Sequence, residues 1–196
     1  GVQTCALPIY PVSYYQEGEY RGNSKIKIHR NAQLGLLSNI KTIGRYVIES
    51  DVELQSDKGL IYIGQNTVIQ SGTKIVPCTY GITENGSIQS RESPYISIGN
   101  GVIIKQNCTL QALRIGDNVI IGNNCTLGEG CVIKDNCVLD DNTMVPAFSV
   151  IAPFSHCGGM PCRRMEQLPS SFPVMMQIYA STLFDKYLPL SSLLCW

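Results

Sequence analysis

The sequence predicts an all-β protein, a parallel β-helix of triangular section followed by one C-terminal α-helix, and three observations carry that expectation. From Ile115 to His156 a six-residue unit repeats seven times without interruption. Every unit opens on an aliphatic residue, and its fifth place holds a small one. Beyond residue 170 the apolar spacing changes to that of a helix. A period of six fits neither a helix nor a lone hairpin. It does fit one side of a coil in which three units complete a turn and backbone hydrogen bonds join successive turns.

The uninterrupted units open at Ile115, Ile121, Leu127, Ile133, Leu139, Val145 and Ile151. Turns of such a coil stack at roughly 4.8 Å. The opening aliphatic therefore points into the prism, where burial contributes about 2 kcal/mol per side chain before chain entropy is subtracted. Val119, Cys125, Cys131, Cys137, Thr143, Ser149 and Ser155 take the fifth place, an inward slot beside a tight corner that admits only small side chains. Glycine or a short polar residue next to the aliphatic suits a chain that turns sharply and approaches its neighbour closely.

The same period runs upstream with interruptions. Units open at Ile63, Ile69 and Ile75, then at Ile98, Ile104 and, as a five-residue unit, Leu110, with Thr67, Thr73 and Cys108 in the small slot. Earlier still, Ile43-Gly-Arg-Tyr-Val is a short unit and Ile48-Glu-Ser-Asp-Val-Glu a complete one. Between Tyr80 and Tyr95 the pattern stops, and Gly81, Asn85, Gly86, Ser87, Ser90, Ser93 and Pro94 mark a polar loop ejected from the coil. About six turns with one excursion are expected, a β-helix over residues 10–160 with its loop at 80–95.

Past the coil, residues 161–196 carry a turn and then an amphipathic helix over 170–188. Phe172, Met175, Met176, Tyr179, Ala180, Leu183, Phe184, Tyr187 and Leu188 fall on one face at helical spacing, with Ser171 as cap and Pro189 as stop. That face packs on a flat side of the prism or meets another subunit, and both hold if the far side of the packed helix also contacts a neighbour.

Composition agrees with one domain. Fifteen basic and fifteen acidic residues cancel, so no strong field draws in nucleic acid or an acidic membrane surface. No apolar run reaches the roughly 20 residues of a membrane span. No basic-then-apolar start suggests secretion, so the default compartment is the cytosol. Residues 1–9, Gly1-Val-Gln-Thr-Cys-Ala-Leu-Pro-Ile9, carry no hexad pattern and read as a frame of a sequencing adaptor; they are left out of the fold.

Nine cysteines suggest a disulfide scaffold until their positions are read. Cys108, Cys125, Cys131 and Cys137 sit in the inward slot, where a free thiol acts as a compact hydrophobe. Metal binding by Cys125, Cys131 and Cys137 is the alternative, yet nothing supplies a fourth ligand. His156-Cys-Gly-Gly-Met-Pro-Cys162 matches no ordinary zinc spacing and reads as a turn leaving the solenoid. Two enzyme classes use this coil, and both depend on histidine. A carbonic anhydrase needs three histidines on zinc, and this chain has two, His29 and His156. An acyltransferase needs a histidine base near the thioester carbonyl, and the 80–95 loop has none. The residues therefore imply no cofactor, metal or catalytic group, and a divergent acyltransferase or carbonic anhydrase relative stays as the alternative.

Four stretches give a more specific resemblance: Gly22-Asn23 through Asn39-Ile-Lys-Thr-Ile43, the hexads from Ile98 to Leu139, Asp141-Asn-Thr-Met-Val-Pro146 with Ala152-Pro-Phe154, and the tail from Tyr179 to Leu190 ending Lys-Tyr-Leu-Pro-Leu. In these the chain resembles the dynactin subunit 5 family, pointed-end subunits of the dynein activator complex, over nearly everything after Tyr20. The resemblance implies a left-handed β-helix and no catalysis. It also implies assembly with dynactin subunit 6, the actin-related pointed-end protein and the large zinc-binding subunit, and a part in attaching dynein to cargo, through cargo adaptors in the cytoplasm. One departure stands out. Where the family carries a basic, aromatic stretch after an Arg-Pro-Pro turn, this chain has Val76-Pro-Cys-Thr-Tyr80 and a longer polar loop with Glu84, Arg91 and Glu92. A contact made through that surface is not carried over.

Overall fold

The computed structural model describes residues 19–23, 25–82 and 87–187. The segment 1–9, the first residues of the expected coil, Glu84, Leu188, Pro189 and Leu190 lie outside them. Within them the chain winds into a prism with three sheets as its sides, having nine, seven and six strands. The six-stranded side is parallel throughout, from Gln33–Leu34 to Met144–Val145, and its strand count gives six turns.

The register explains why six residues make a side. On one side Ile69, Ile104, Ile121 and Leu139 stand directly above one another. On the second Ile75, Leu110, Leu127 and Val145 do so, and on the third Ile63, Ile98, Ile115, Ile133 and Ile151. These columns form the core. Each member is at most 2% exposed except Ile151, which is half-buried. The strand Val150–Ile151 is the last on its side, so no further coil covers it. Cys157 continues the first column beyond Leu139 and is buried.

Two readings of the sequence need correction. Ile43 does not open a unit: Thr42 pairs with Ile63 and Ile40 with Ile61, while Ile43 is 70% exposed. Side chains alternate along a strand, and a slip by one residue would turn Ile40 and Thr42 out of the core to bring Ile43 in. The second concerns 80–95, which is not an irregular loop. Cys78–Ile82 and Ile88–Ile98 pair antiparallel as a hairpin, and the second strand then runs into the coil at Ile96 and Ile98. Its polar residues mark exposed strands, a pattern that composition alone does not separate from a loop.

The corners have their own rule. Asn66, Asn107, Asn118, Asn124, Asn136 and Asn142, each fourth in its unit, adopt φ of 55° to 60°. Asparagine visits this left-handed region at lower cost than other non-glycine residues. Phe148 and Phe154 take it in the last two units. The second place has a different constraint: a Cβ on Gly122 would stand 2.5 Å from the amide nitrogen of Asp141 in the next coil, so only glycine permits that approach.

The helix Phe172–Asp185 lies across the outer surface of the nine-stranded side. That side has a second column, pointing outward: Val47, Val68, Ile103, Ile120 and Val138. Phe172, Met176, Ala180, Leu183, Phe184 and, just past the helix, Tyr187 pack against it. Fourteen residues at about 1.5 Å each match roughly four strand spacings, so the helix spans this column from end to end. Met175 and Tyr179, expected on the buried face, point outward at 59% and 45% exposure, because the groove beside one column accepts only a narrow stripe. Ser171 has helical φ and ψ and makes no side-chain cap bond; its carbonyl accepts from Val174 and Met175 instead.

Polar contacts fix the far end. The Tyr187 hydroxyl donates to the buried Glu49 carboxylate, whose other oxygen accepts from the Ser71 amide at 2.9 Å and hydroxyl at 2.8 Å. Arg45 lies over the Phe184 ring at 4.9 Å and reaches Asp185 at 3.9 Å.

The register yields a paired test. Ile121→Ala should destabilise the fold by about 2–5 kcal/mol through loss of a fully buried side chain, whereas Ile43→Ser should cost under about 0.5 kcal/mol. Urea unfolding measures both, and equal costs would contradict the register.

Candidate functional site

The first candidate is the interior slot. Thr67, Thr73, Cys108, Val119, Cys125, Cys131, Cys137 and Thr143 are at most 1% exposed, while Ser149, on the last coil, is half-buried and donates to Pro146. Size is only half of the selection. The Thr67 hydroxyl donates to Gly99 and that of Thr73 to Lys105, each at 3.0 Å. Cys108, Cys125 and Cys137 donate their thiol protons to Gly122, Asp140 and Ala152 at 3.0 to 3.1 Å. Every acceptor is the second residue of a unit one turn further on. These five bonds tie one coil to the next, whereas Thr143 donates to Asp140 of its own unit at 2.7 Å and Val119 fills the slot by size alone. The sequence signal was present as the choice between Thr and Cys, residues alike in size and in carrying a donor.

Burial pushes the Cys131 thiol up to about 12 and that of Cys137 up to about 11, so both stay protonated at neutral pH, unlike reactive or metal-binding thiolates. Cys162, on the turn after the coil, is pushed up to about 12, again mainly by burial. Among the described residues no three of histidine, cysteine, aspartate and glutamate converge in a group able to hold a metal ion.

The two histidines lie on the second and eighth strands of the nine-stranded side, far apart along the prism. His29 accepts from the Asn31 amide at 3.1 Å and stands edge-on to Tyr20. His156 has both ring nitrogens engaged, Nε2 with Asp140 and Nδ1 with Glu166, each at 2.7 Å. The turn expected at His156–Cys162 is found at 159–162, and it connects a hairpin of Ser155–Gly158 against Arg163–Gln167 that closes this side. His156 therefore joins its two strands and the coil beneath. An imidazole held by two carboxylates favours its charged form, and its pKa is raised by these two hydrogen bonds, Asp140 first. With both ring nitrogens engaged by carboxylates, neither is free to take a proton from a substrate in this arrangement.

Outward surfaces remain. The six-stranded side presents Gln33, Glu53, Lys74, Thr109, Thr126 and Met144, with Lys74 paired to Glu53 at 3.0 Å. The third side presents Lys41, Tyr62, Ser97, Arg114, Val132 and Val150. A shallow groove there is bordered by Ile43 and Tyr62, and Tyr62 meets Tyr95 edge-on. These ladders are flat and of mixed polarity, suited to contact along a face rather than to enclosing a small molecule.

The His156 clamp predicts a pH dependence. With the folded pKa above the ordinary 6.5, its stabilisation is complete below about 6.5 and is lost as pH rises through the folded value. The melting-temperature gap between the native chain and His156→Gln should therefore narrow as pH is raised from about 6 through the folded value. A gap that widens over this range would contradict the clamp.

Comparison with known proteins adds three findings. No curated protein matches the chain. Among solved structures, a mutant of AntD, an N-acyltransferase from Bacillus cereus in complex with dTDP and coenzyme A, superposes with a TM-score of 0.64 at 13% identity, covering 85% of this chain and 100% of that one. The acetyltransferase domain of PglB from Neisseria gonorrhoeae gives 0.54 at 12% identity, over 71% and 57% of the two chains. A hexapeptide transferase family protein from Anaplasma phagocytophilum gives 0.50 at 18% identity, over 83% and 93%. At such identities the likeness is one of fold, the left-handed parallel β-helix of hexapeptide-repeat proteins. A sequence model of the dynactin subunit 5 family matches residues 9–193, which is almost the entire sequence, and the chain belongs to that family.

Proposed function

We propose that this protein is a non-catalytic structural subunit of the dynactin pointed end, a rigid spacer that supports dynein-driven transport along microtubules and the attachment of cargo. The single observation that carries the reading is the family match over residues 9–193. Geometry supports it in a second way, since the one histidine near the coil exit has both nitrogens bonded to carboxylates. Its partners would be dynactin subunit 6, the actin-related pointed-end protein and the large zinc-binding subunit, with cargo adaptors in addition, in the cytoskeleton-associated cytoplasm. A solenoid offers strand edges at its ends and ladders along its sides. Here Gln33–Leu34 and Ile40–Thr42 are the first strands of two sides, and the core residues Ile26, Ile28, Leu34 and Ile40 behind them are only partly buried. Recognition by end stacking and side ladders would then be driven by shape rather than by net charge, which is zero.

The likeness to acyltransferases is the observation behind the second reading, a divergent hexapeptide acyltransferase, with a carbonic anhydrase relative beside it. Affinity purification from the native cell, read for dynactin subunits, separates them. The proposal expects dynactin subunit 6 and the pointed-end proteins in stoichiometric amount, without coenzyme A binding or bound zinc. A stable lone monomer that ignores subunit 6, or turnover of an acyl thioester or of bicarbonate, would overturn it.

A further inference from the structure

The C-terminal helix has two apolar faces, and the prism uses only one. Phe172, Met176, Ala180, Leu183 and Phe184 are spent on the outward column of the nine-stranded side. On the opposite face Val174, Met175, Ile178 and Tyr179 are 61%, 59%, 65% and 45% exposed. They fall as two pairs four residues apart, Val174 with Ile178 and Met175 with Tyr179. Such pairs are the ridges that enter the grooves of an apposed helix or sheet. A surface helix ordinarily turns its polar face to solvent, whereas here the outward face from Val174 to Tyr179 is apolar but for Gln177.

The stripe also indicates what covers it. No charged residue occurs from Gln167 to Phe184. A helix lying on an anionic membrane surface needs a fringe of lysine and arginine, and a charged partner surface would be left unpaired here. The fitting surface is uncharged and apolar. Four side chains of this size supply on the order of 400 Å², about half of the roughly 800 Å² per partner found in a stable two-protein interface. The stripe is thus too small to hold a second copy of this chain unaided, and adequate as one contact among several for a protein already held elsewhere. Exposed methionines suit such a contact because an unbranched thioether adapts to its neighbour. Met165, on the hairpin that closes the same side, adds another at 64% exposure.

We propose that the outer face of the C-terminal helix, centred on Met175 and Ile178, is a contact surface for another subunit of the dynactin assembly, one that presents an uncharged apolar helix or sheet face. The inference rests on the reading of the protein as a dynactin subunit, and the experiment distinguishes the two.

The native chain, Ile178→Glu, Met175→Glu and the control Gln177→Glu are expressed in the native cell with an affinity tag, and the retained dynactin subunits are quantified by mass spectrometry. A melting temperature near native for each purified variant establishes that the fold is intact, and a photo-reactive residue placed at 175 covers the case in which a glutamate variant does not fold. Ile178→Glu and Met175→Glu should retain other dynactin subunits at least tenfold less than the native chain. Gln177→Glu should retain them fully, and the photo-reactive residue should join to a dynactin subunit. Full retention by both stripe variants overturns this inference alone. So does a homodimer of the native chain that Ile178→Glu dissolves, a photo-product with residues 188–196 of the same chain, or flotation of the chain with phosphatidylserine vesicles. If the native chain itself retrieves no dynactin subunit, the reading of the preceding subsection falls, and this inference falls with it.

Discussion

Everything in this molecule depends on one constraint, that each inward side chain must lie directly over the equivalent side chain of the coil beneath. Columns such as Ile63, Ile98, Ile115, Ile133 and Ile151 satisfy apolar burial and backbone hydrogen bonding with one register. Parallel strands of two or three residues would not pair stably alone, and stacking makes them cooperative, since each coil is the template for its neighbours. The constraint is strict about parity. It places Thr42 inward and leaves Ile43 outside, and it limits excursions to points where the chain can rejoin in register, as at Ile96 after the hairpin.

The slot residues add a layer to this account. Threonine hydroxyls and cysteine thiols reach from one coil to a carbonyl of the next, so the interior is stitched by donors as well as packed by aliphatics. Buried hydrogen bonds of this kind contribute about 1 kcal/mol each and, unlike packing, are directional. They resist slippage of one coil across another. Burial also raises the pKa of the Cys131 and Cys137 thiols, which keeps them protonated and poor as nucleophiles.

Much of the fold was legible because the repeat is a geometric quantity. The columns, the turn count, the small slot and the terminal helix follow from spacing. What spacing could not convey was pairing between segments of irregular composition. The strand stretch 88–93 and Arg163–Gln167 follow no hexad beat, and Gln89, Ser90, Glu92 and Ser93 in the first, with Arg163, Arg164, Glu166 and Gln167 in the second, face solvent. The seat of the helix was legible in principle, since Val47, Val68, Ile103, Ile120 and Val138, each just before a core aliphatic, are apolar on one side only, where the six-stranded side has Glu53, Lys74, Thr109 and Thr126. Reading it requires knowing which units share a side, a consequence of the interruptions upstream. Met175 and Tyr179 fit the helical period of the buried stripe but lie beyond the width of the column, so spacing alone does not separate them from it.

A prism of this kind can serve catalysis or assembly, and the choice turns on whether it exists as a free symmetric oligomer or as one part of a larger body. Velocity sedimentation of an extract from the native cell, with the chain followed by antibody, reads that directly. The account predicts that the chain travels with the large dynactin particle and that little is found near the size of a monomer or trimer. A discrete trimer, with none in the fast-sedimenting fraction, would contradict it.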